Sequence, residues 1–397
     1  MHTTISRPAA LTHRRELDGL RFFAFLLVFV HHFPAAVWSE TLIILKGRGW
    51  VGVELFFAIS AYLFFYLLGA EQTKIGRIDI PKFFMRRFLR IYPLMIVYAT
   101  AMVLIYSIGD DPRTWPRLLG IALSLDNLVT WVLSYNVSVP FATHLWTLSS
   151  EFQIYLVIPV AFLVYMAMGR TAFLWLLVGI VVFSTLARAM FVLINTPYVN
   201  VWVTPFLRPE SVIGGIALSI IDRRWNPLWS LLAFVVAAFL FFYAPSAEVL
   251  PWGTMLGYPI SALMWVSLLD FALRNRAARS VLSYGPLPFL GTISFGLYVF
   301  HWWAMNQAFA VVGYSTTETP IEYLALGIVA LGITVLAALA SYFGLERFFL
   351  KLKAKVTIVG PKSEVIAILG LSEIPMTPLA APQSVNEPIS SNDTDTR

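Results

Sequence analysis

Apolar stretches close to 20 residues long recur along this chain, and they limit the possible folds more than any other feature. About 20 apolar residues in a helix cross the ~30 Å hydrocarbon core of a bilayer, where a helix satisfies its own backbone polar groups. We therefore predict an all-α, polytopic transmembrane helical bundle with about ten spans. The predicted spans lie near residues 20–38, 50–69, 89–109, 147–168, 171–194, 206–221, 228–244, 253–273, 289–312 and 322–348.

Composition and the positions of the basic residues support this interpretation. Hydrophobic residues make up 58% of the chain and charged residues 13%, against about a quarter charged in soluble domains. Lys and Arg accumulate in alternate connections, as expected for cytoplasmic loops, and the loops around 195–205, 245–252 and 313–321 contain none. This alternation predicts that the N- and C-termini are both cytoplasmic.

One further apolar stretch, residues 117–135, competes for the assignment as a span. Asp126, Asn127 and flanking arginines make it a poor lipid-facing helix. Counting it as a span would also move every later loop to the opposite side of the membrane. The basic loops would then lie outside, whereas Lys and Arg are expected to accumulate in cytoplasmic loops. We predict an interfacial or re-entrant segment there.

The chain divides into three predicted regions. Residues 1–18 form a cytoplasmic N-terminal segment, residues 19–350 the transmembrane domain, and residues 356–397 a disordered cytoplasmic tail rich in Pro, Ser, Asn, Asp and Thr. The absence of cysteine excludes disulfides and a thiolate nucleophile, and no Cys/His spacing predicts a metal. The net charge of +6 is spread between apolar runs, so we expect no nucleic-acid partner.

Ionisable residues inside spans mark candidate functional sites, because they are costly there unless they are paired or hydrated. The first such cluster contains Asp18, Arg21, His31 and His32. Arg21 and His32 are separated by about 16 Å and close to three helical turns, so they share a helix face. A neutral imidazole is a natural general base for a hydroxyl. The alternative is that both histidines are polar packing groups between helices.

A second cluster, Arg86, Arg87 and Arg90, lies at the entrance of the third predicted span. The planar guanidinium donates two hydrogen bonds at once to a phosphate, which makes these residues candidates for binding a phosphorylated cofactor. The alternative is that they anchor the helix at the membrane surface or contact lipid phosphates.

Two carboxylate residues lie at the start of, or inside, later predicted spans. Glu54 at the outer start of the second span either orients an imidazolium, binds a sugar hydroxyl or lies in the headgroup layer. Glu151 lies deeper in the fourth span, near Ser149 and Gln153, where a carboxylate needs a partner.

Aromatic and histidine residues supply two further candidates for polar contacts. His144 and Trp146 fit an interfacial aromatic belt. Ser294, Tyr298 and His301 are spaced by four and three residues and therefore share one face of the ninth span. They form either a substrate-contacting face or a polar packing stripe.

Six segments in this order resemble acyltransferase family 3, a family of membrane O-acyltransferases. They are LDGLR at 17–21 with ten residues before His32, GVELFFAIS at 52–60, RRFLRIYP at 86–93, HLWTLSSEFQIYL at 144–156, ISFGLYVFH at 293–301 and SYFGLER at 341–347. The resemblance covers residues 15–350.

The resemblance implies a multi-pass enzyme of the bacterial inner membrane. Such an enzyme takes acetyl or a related acyl group from cytoplasmic acyl-CoA and transfers it to a hydroxyl of a glycan, a lipid-linked sugar or a small molecule. Arg21 and His32 match the family's arginine, ten residues, histidine pattern, and Arg87 and Arg90 match its Arg-x-x-Arg element. Three departures are Glu54, where the family often has Asp, Phe152, which replaces a second carboxylate after Glu151, and Ala61, where the family commonly has Gly after Ser60.

The resulting hypothesis assigns roles to these residues. Three arginines hold the coenzyme A phosphates: Arg86, Arg87 and Arg90. Arg21 assists there or polarises the thioester, and His32 acts as general base or carries the acyl group transiently. Candidates to orient His32 are Asp18, Glu54 and Glu151, and candidate substrate contacts are Ser149, Gln153, Tyr298 and His301.

Two alternatives from other classes stay open at this point. Intramembrane His, Arg and Glu also mark the pathways of transporters and exporters, although no paired halves are visible in this chain. The other alternative is an inactive membrane assembly factor.

Overall fold

The computed structural model describes residues 14–34, 40–106, 111–133, 135, 139–243, 251–312 and 319–358. Within these ranges all regular structure is helical, and the all-α prediction is confirmed there. The helices are α1 Arg15–His32, α2 Glu40–Arg48, α3 Val51–Ile75, α4 Ile80–Tyr106, α5 Thr114–Ala122, α6 Asp126–Leu133, α7 Trp146–Met168, α8 Arg170–Leu193, α9 Tyr198–Trp202, α10 Glu210–Ile220, α11 Pro227–Tyr243, α12 Pro251–Arg274, α13 Arg276–Leu282, α14 Leu287–Thr292, α15 Ser294–Val312, α16 Pro320–Ser341 and α17 Arg347–Lys355.

Three short helical elements of other types connect these helices. Turns of 3-10 helix occupy Thr143–Leu145 and Pro205–Leu207. A π-helical stretch, Tyr342–Glu346, joins α16 to α17 without a break. Such π-helical turns are rare and are often found at functional sites.

Six helical stretches among the described residues are long and apolar enough to cross a bilayer. They are Lys46–Ile75, Ile80–Tyr106, Thr143–Met168, Arg170–Leu193, Gly253–Arg274 and Ile321–Lys355. The protein is therefore a multi-pass membrane protein, and the count of ten spans stays a prediction. The sixth predicted span, 206–221, contains a helix of only 11 residues, α10, which rises about 16 Å, half the thickness of the hydrocarbon core.

Several predicted boundaries fall outside the described residues. These are residues 1–13 of the N-terminal segment, residues 359–397 of the tail, and the ends of three predicted spans at 35–38, 107–109 and 244. At the N-terminal side, α1 begins at Arg15, a few residues before the predicted start of the transmembrane domain.

The segment 117–135 folds as two short helices rather than one. The helices α5 and α6 have nine and eight residues and rise about 13 and 12 Å, too little to cross a bilayer. Between them Ser124 adopts a positive φ of 56°, which turns the chain sharply. Arg117 and Asp126 form a buried ion pair with 2.9 Å between Nε and Oδ1. This agrees with the expectation that the segment is not a span.

The first helix, α1, is the centre of the molecule. It packs against α3, α13, α14 and α15, and its side chains belong to three separate apolar clusters. Leu20 packs with α3, α11 and α12, Phe25 with α15 and α16, and Val28 with α4 and α7. The buried residues of α1 therefore lie close to several helices that are distant in sequence.

Glycines allow two of these neighbours to approach α1 closely. A Cβ atom on Gly52 would lie 2.3 Å from the carbonyl oxygen of Ala24, and one on Gly291 would lie 1.9 Å from that of Asp18. Both distances are shorter than any stable contact, so a larger residue requires the helix backbones to separate. Close packing here holds the N-terminal end and the middle of α1 in place.

Candidate functional site

A cavity of about 380 Å³ opens beside the N-terminal part of α1. Its walls come from α1, α3, α4, α7, α14, α15 and α17. We call it the arginine cavity, because its lining includes the cationic side chains of Arg14, Arg21, Arg86, Arg87, Arg90 and Lys353. Its volume falls in the usual range for pockets that bind small molecules.

A cap at the start of α4 places the three clustered arginines. Asp79 Oδ1 accepts a hydrogen bond from the backbone N–H of Lys82 at 3.1 Å, the position of an N-cap contact. Hydrogen bonding by Lys82 also holds the pKa of the Asp79 carboxyl below its usual value. The backbone N–H of Asp79 donates to Glu71 Oε1 at 2.6 Å, which ties α4 to the end of α3.

The arginines of α4 differ in how they are paired. Arg86 Nη2 donates to Glu71 Oε2 at 3.3 Å, and Arg90 Nη2 donates to the carbonyl oxygen of Thr292 at 2.7 Å. The Arg87 guanidinium stacks over the Phe64 ring at 3.9 Å, and its buried Nε has no hydrogen-bond partner among the described residues. Arg87 is thus the member of the cluster with most capacity to bind an added anion.

Three carboxylates also line the arginine cavity, and each has partners there. Asp18 accepts a hydrogen bond from Arg21 Nη1 at 2.7 Å. Glu151 accepts from the hydroxyls of Tyr155 and Ser60. Glu71 pairs with Arg86, as described above. The structure therefore brings Asp18, Arg21 and Glu151 together with the arginines of α4.

A second, smaller cavity of about 70 Å³ lies at the C-terminal end of α1. We call it the histidine pocket, because His31, His32 and His144 line it together with Arg208. Aromatic side chains form most of its remaining walls, among them Trp50, Trp146, Tyr198, Trp202, Tyr258 and Tyr298. Arg21 and His32, expected on one helix face, thus line two different cavities.

A chain of hydrogen bonds determines which nitrogen of His32 is basic. His301 Nδ1 lies against the carbonyl oxygen of Tyr298, which can only accept, so this nitrogen carries the proton. In a neutral imidazole His301 Nε2 is then an acceptor, and it lies 2.9 Å from His32 Nδ1. His32 Nδ1 must therefore donate, so His32 Nε2 is the unprotonated nitrogen of the neutral ring. None of the carboxylates considered as orienting groups in the sequence, Asp18, Glu54 and Glu151, bonds to His32.

His144, assigned in the sequence to an interfacial belt, belongs to the same group of imidazoles. It is almost fully buried, and its ring lies 4.7 Å from that of His301 and 5.2 Å from that of Tyr298. Its Nε2 donates to the carbonyl oxygen of Val299 at 3.1 Å. The sequence signal for this role was weak, because a histidine at a helix entrance is common on membrane proteins.

The two cavities meet at a thin partition. Val53, Thr147 and Tyr298 line both of them. The hydroxyls of Thr147 and Tyr298 are 2.6 Å apart, and Tyr298 also donates to the carbonyl oxygen of His144 at 3.0 Å. Tyr298 thus holds a position between the arginines and His32.

Glu54 and Arg208 form a buried ion pair beside the histidine pocket. Arg208 Nη1 donates to Glu54 Oε1 at 2.9 Å, and both side chains are almost fully buried. The Nε and Nη2 atoms of Arg208 have no hydrogen-bond partner in the described part of the chain. The sequence prediction omitted Arg208, although an arginine at the start of a predicted span is a signal for function.

Ser149 and Gln153, proposed as substrate contacts, line neither cavity. Ser149 Oγ accepts from the backbone N–H of Asp126 at 3.2 Å. Gln153 exchanges hydrogen bonds with Asn127 at 2.8 and 3.0 Å. Both side chains fix the start of α6 against α7.

Comparison with known proteins identifies the family of this chain. A family model described as "Acyltransferase domain" matches residues 14–339, most of the chain. The chain therefore belongs to acyltransferase family 3, as its six segments predicted.

Three relatives illustrate the range of the family. The chain is 26% identical over 310 residues to the peptidoglycan O-acetyltransferase OatA of Listeria monocytogenes, covering 72% of this chain and 48% of the relative. It is 26% identical over 316 residues to the O-acetyltransferase OatA of Staphylococcus aureus, covering 72% and 49%. It is 29% identical over 322 residues to a putative acetyltransferase, ORF330, of Acidianus two-tailed virus, covering 79% and 88%.

The chain spans about half the length of the two OatA proteins. No solved structure matches the chain.

Proposed function

We propose that this protein is a membrane O-acyltransferase that moves an acetyl or related acyl group from acyl-CoA to a hydroxyl of a glycan. The observation that carries the proposal is the pair of cavities at the two ends of α1. One is lined by cations suited to phosphates, the other contains an oriented imidazole, and they share Tyr298. The names of both OatA relatives support acetyl as the group, and the name of the Listeria relative supports a peptidoglycan-like glycan as the acceptor class.

The acyl-CoA donor binds in the arginine cavity. Coenzyme A carries phosphates at one end and the thioester at the other, joined by a long flexible arm. Arg87 and Arg90 hold the phosphates through charge-assisted hydrogen bonds, and Arg86 adds to the positive field. Arg21, paired with Asp18 one helical turn closer to the mouth, lies along the path of the arm.

The bilayer orientation follows from the distribution of basic residues. The arginine cavity opens on the side of α1 and α4 where Lys and Arg accumulate, which the positive-inside rule assigns to the cytoplasm. We infer ten spans with both termini inside and a location in the inner membrane, so that the donor comes from the cytoplasm and the acceptor binds from the other face.

His32 acts as the general base of the transfer. Its Nε2 takes the proton of the acceptor hydroxyl as the hydroxyl oxygen forms a bond to the thioester carbonyl carbon. The carbon–sulfur bond then breaks, and the proton held by the imidazole returns to the leaving sulfur. The products are the ester and free coenzyme A. His301 positions His32 throughout, because it accepts the hydrogen bond from Nδ1.

The partition must open for either route of transfer. In direct transfer the thioester passes Tyr298 to meet the acceptor at His32. In covalent transfer His32 Nε2 bonds to the thioester carbonyl carbon as coenzyme A leaves as its thiolate. The acceptor hydroxyl then takes the acyl group from the imidazole, and its proton passes to the thiolate, with the same side-chain movement. Both routes require the Thr147–Tyr298 hydrogen bond to break transiently.

The histidine pocket suits a sugar better than an apolar acceptor. Its aromatic walls offer flat apolar faces. Arg208, whose charge is balanced by Glu54, offers two nitrogens, Nε and Nη2, that donate no hydrogen bond within the described residues. A buried donor without a partner is costly, so a hydroxyl or amide carbonyl oxygen of the acceptor stabilises it.

The test is acetyl transfer by the purified protein in nanodiscs, with radiolabelled acetyl-CoA and a chitooligosaccharide acceptor. We expect His32→Ala to bind coenzyme A as the wild type does and to lose turnover about 10²–10⁴-fold. Arg113→Ala is the control, since Arg113 is exposed, pairs with Asp111 and lines neither cavity, and it should retain most activity. If the wild-type protein binds no acyl-CoA, the proposal fails and a transporter becomes the better account.

A further inference from the structure

The last described helix, α17, lies outside the part of the chain that matches the family, which ends at residue 339. It nevertheless forms a wall of the arginine cavity. Leu350, Lys353, Ala354 and Thr357 line the cavity. Leu350, Lys353 and Ala354 are three and four residues apart and share one face of α17, and Thr357 lies just beyond the end of that helix.

Two contacts dock this end of the chain onto the cluster of arginines. Arg86 Nη1 donates to the carbonyl oxygen of Val356 at 3.3 Å, and Lys74 Nζ donates to that of Ile358 at 3.2 Å. The π-helical stretch before α17 carries Glu346, which lies 3.8 Å from Arg90 Nη1. The position of α17 is therefore coupled to the residues proposed to bind the donor.

Lys353 has an unfavourable electrostatic environment. Its ammonium forms no ion pair with any carboxylate of the described ranges. The charges that act on it are positive, those of Arg21, Arg86, Arg87 and Arg90. The carboxylates that line the same cavity are engaged elsewhere, Asp18 with Arg21, Glu71 with Arg86, and Glu151 with Tyr155 and Ser60.

A cation held among other cations in a partly enclosed cavity is stable when an anion lies between them. Phosphate is the anion that both residue types bind well, arginine through its planar fork and lysine as a compact charge. Lys351 and Lys355 on the same helix are exposed, so they offer a contrast within nine residues.

We propose that α17 completes the donor site and that Lys353 binds a phosphate group of the acyl carrier. This inference rests on the proposed function, since it takes the arginine cavity as the coenzyme A site. It assigns the carrier's phosphate end to a place between α4 and α17, and it predicts that phosphate binding holds α17 in position.

The test is calorimetric titration of coenzyme A into the full-length protein in detergent and in phosphatidylcholine nanodiscs. The variants are Lys353→Met, which keeps the length of the side chain, and Lys353→Arg, which keeps its charge. Lys351→Met and Lys355→Met are the matched controls. We expect Lys353→Met to raise the Kd for coenzyme A about tenfold. Lys353→Arg should bind within about threefold of the wild type, and the controls within about twofold.

Titration with pantetheine, which lacks the phosphates, separates charge from packing. We expect Lys353→Met and the wild type to bind it equally. An equal loss for pantetheine and coenzyme A would overturn the proposal, because Lys353 would then act through the shape of the cavity.

A second source of phosphate is an anionic lipid headgroup. Titration with phosphatidylglycerol in place of coenzyme A tests this source. If Lys353→Met binds coenzyme A as the wild type does but loses the heat of binding that the wild type shows with phosphatidylglycerol, the phosphate belongs to lipid and the proposal is wrong. Failure of the wild type to bind coenzyme A would instead reject the proposed function itself. Binding by the wild type with unchanged affinity in Lys353→Met would reject the role of Lys353 alone.

Discussion

The two cavities at the ends of α1 are suited to different tasks in recognition. The arginine cavity is large and lined by long charged side chains, several of which keep partners within the protein. The histidine pocket is small and walled by aromatic rings, and its imidazoles are held by a chain of hydrogen bonds. Charge attracts a flexible phosphorylated donor without demanding one geometry, whereas proton transfer requires groups already in position.

This difference between the cavities predicts which property of the protein a substitution in each of them changes. Changes in the arginine cavity should act mainly on donor affinity, and changes around the histidine pocket mainly on turnover or on the stability of the fold. The predictions below test that division, beginning with the largest expected effect.

The largest effect is expected from breaking the ion pair beside the histidine pocket. The Arg208 and Glu54 side chains are 2% and 1% exposed, so Arg208→Ala leaves an uncompensated buried carboxylate and should cost about 3–5 kcal/mol of stability. Arg86→Ala should cost less, because Glu71 keeps the hydrogen bond from the backbone N–H of Asp79 and lines the larger cavity, which can admit water. Thermal denaturation in detergent measures both.

The double variant Arg208→Met with Glu54→Gln serves as the control for charge burial. It should recover a large part of the lost stability while acetyl transfer stays impaired. Equal losses of stability in Arg208→Ala and Arg86→Ala would contradict the expected difference between the histidine pocket and the arginine cavity.

The next effect concerns the tautomer of His32. His301→Phe removes the acceptor for His32 Nδ1–H and should lower kcat about 10–100-fold with little change in the Kd for coenzyme A. His301→Gln retains an amide oxygen that can accept this bond and should restore part of the rate. The pH profile of kcat is the deciding readout, since a packing role alone would leave it unshifted.

Arg87→Gln should affect the donor instead. Loss of one charge-assisted hydrogen bond to phosphate raises the Kd for coenzyme A about tenfold and makes binding less dependent on salt. Arg113→Gln is a suitable control, because Arg113 is exposed and pairs with Asp111 away from both cavities. An unchanged Kd together with a reduced kcat would place Arg87 in the chemistry and contradict the division.

The smallest effect is expected at the partition. Tyr298→Phe removes the hydroxyl that bonds Thr147 and the carbonyl oxygen of His144, each bond contributing about 1 kcal/mol. We expect a change of a few-fold in transfer and an increase in hydrolysis of acyl-CoA in the absence of acceptor, because water reaches the thioester more easily. Unchanged hydrolysis would show that Tyr298 does not separate the compartments.

Much of the membrane fold is readable from the sequence, for a physical reason. A span must be apolar over about 20 residues and must form its own backbone hydrogen bonds, so the pattern is local. The long helices α3, α4, α7, α8, α12 and α16 therefore lie where the sequence predicts them. The interval of α10 was predicted too long, because a half-length helix next to a 3-10 turn has the same apolar composition as a span.

The candidate site was predictable in part. Ionisable residues are conspicuous within apolar runs, and this signal selected Arg21, His32, Arg87 and Arg90, which the structure places at the two cavities. It did not select Arg208 or Lys353, and it proposed Gln153 as a substrate contact although that side chain bonds Asn127. A residue type reveals that a polar partner is needed, but not whether the partner is substrate or protein.

The sequence by itself determined that the chain is a helical membrane protein, which family it belongs to, and which polar residues its spans must accommodate. Only the tertiary structure decided their partners. His32 meets His301 across 269 residues, and Glu54 meets Arg208 across 154. Such pairs form because helices distant in the chain pack together and exclude water, and a buried polar group then bonds to whichever partner that packing brings within reach.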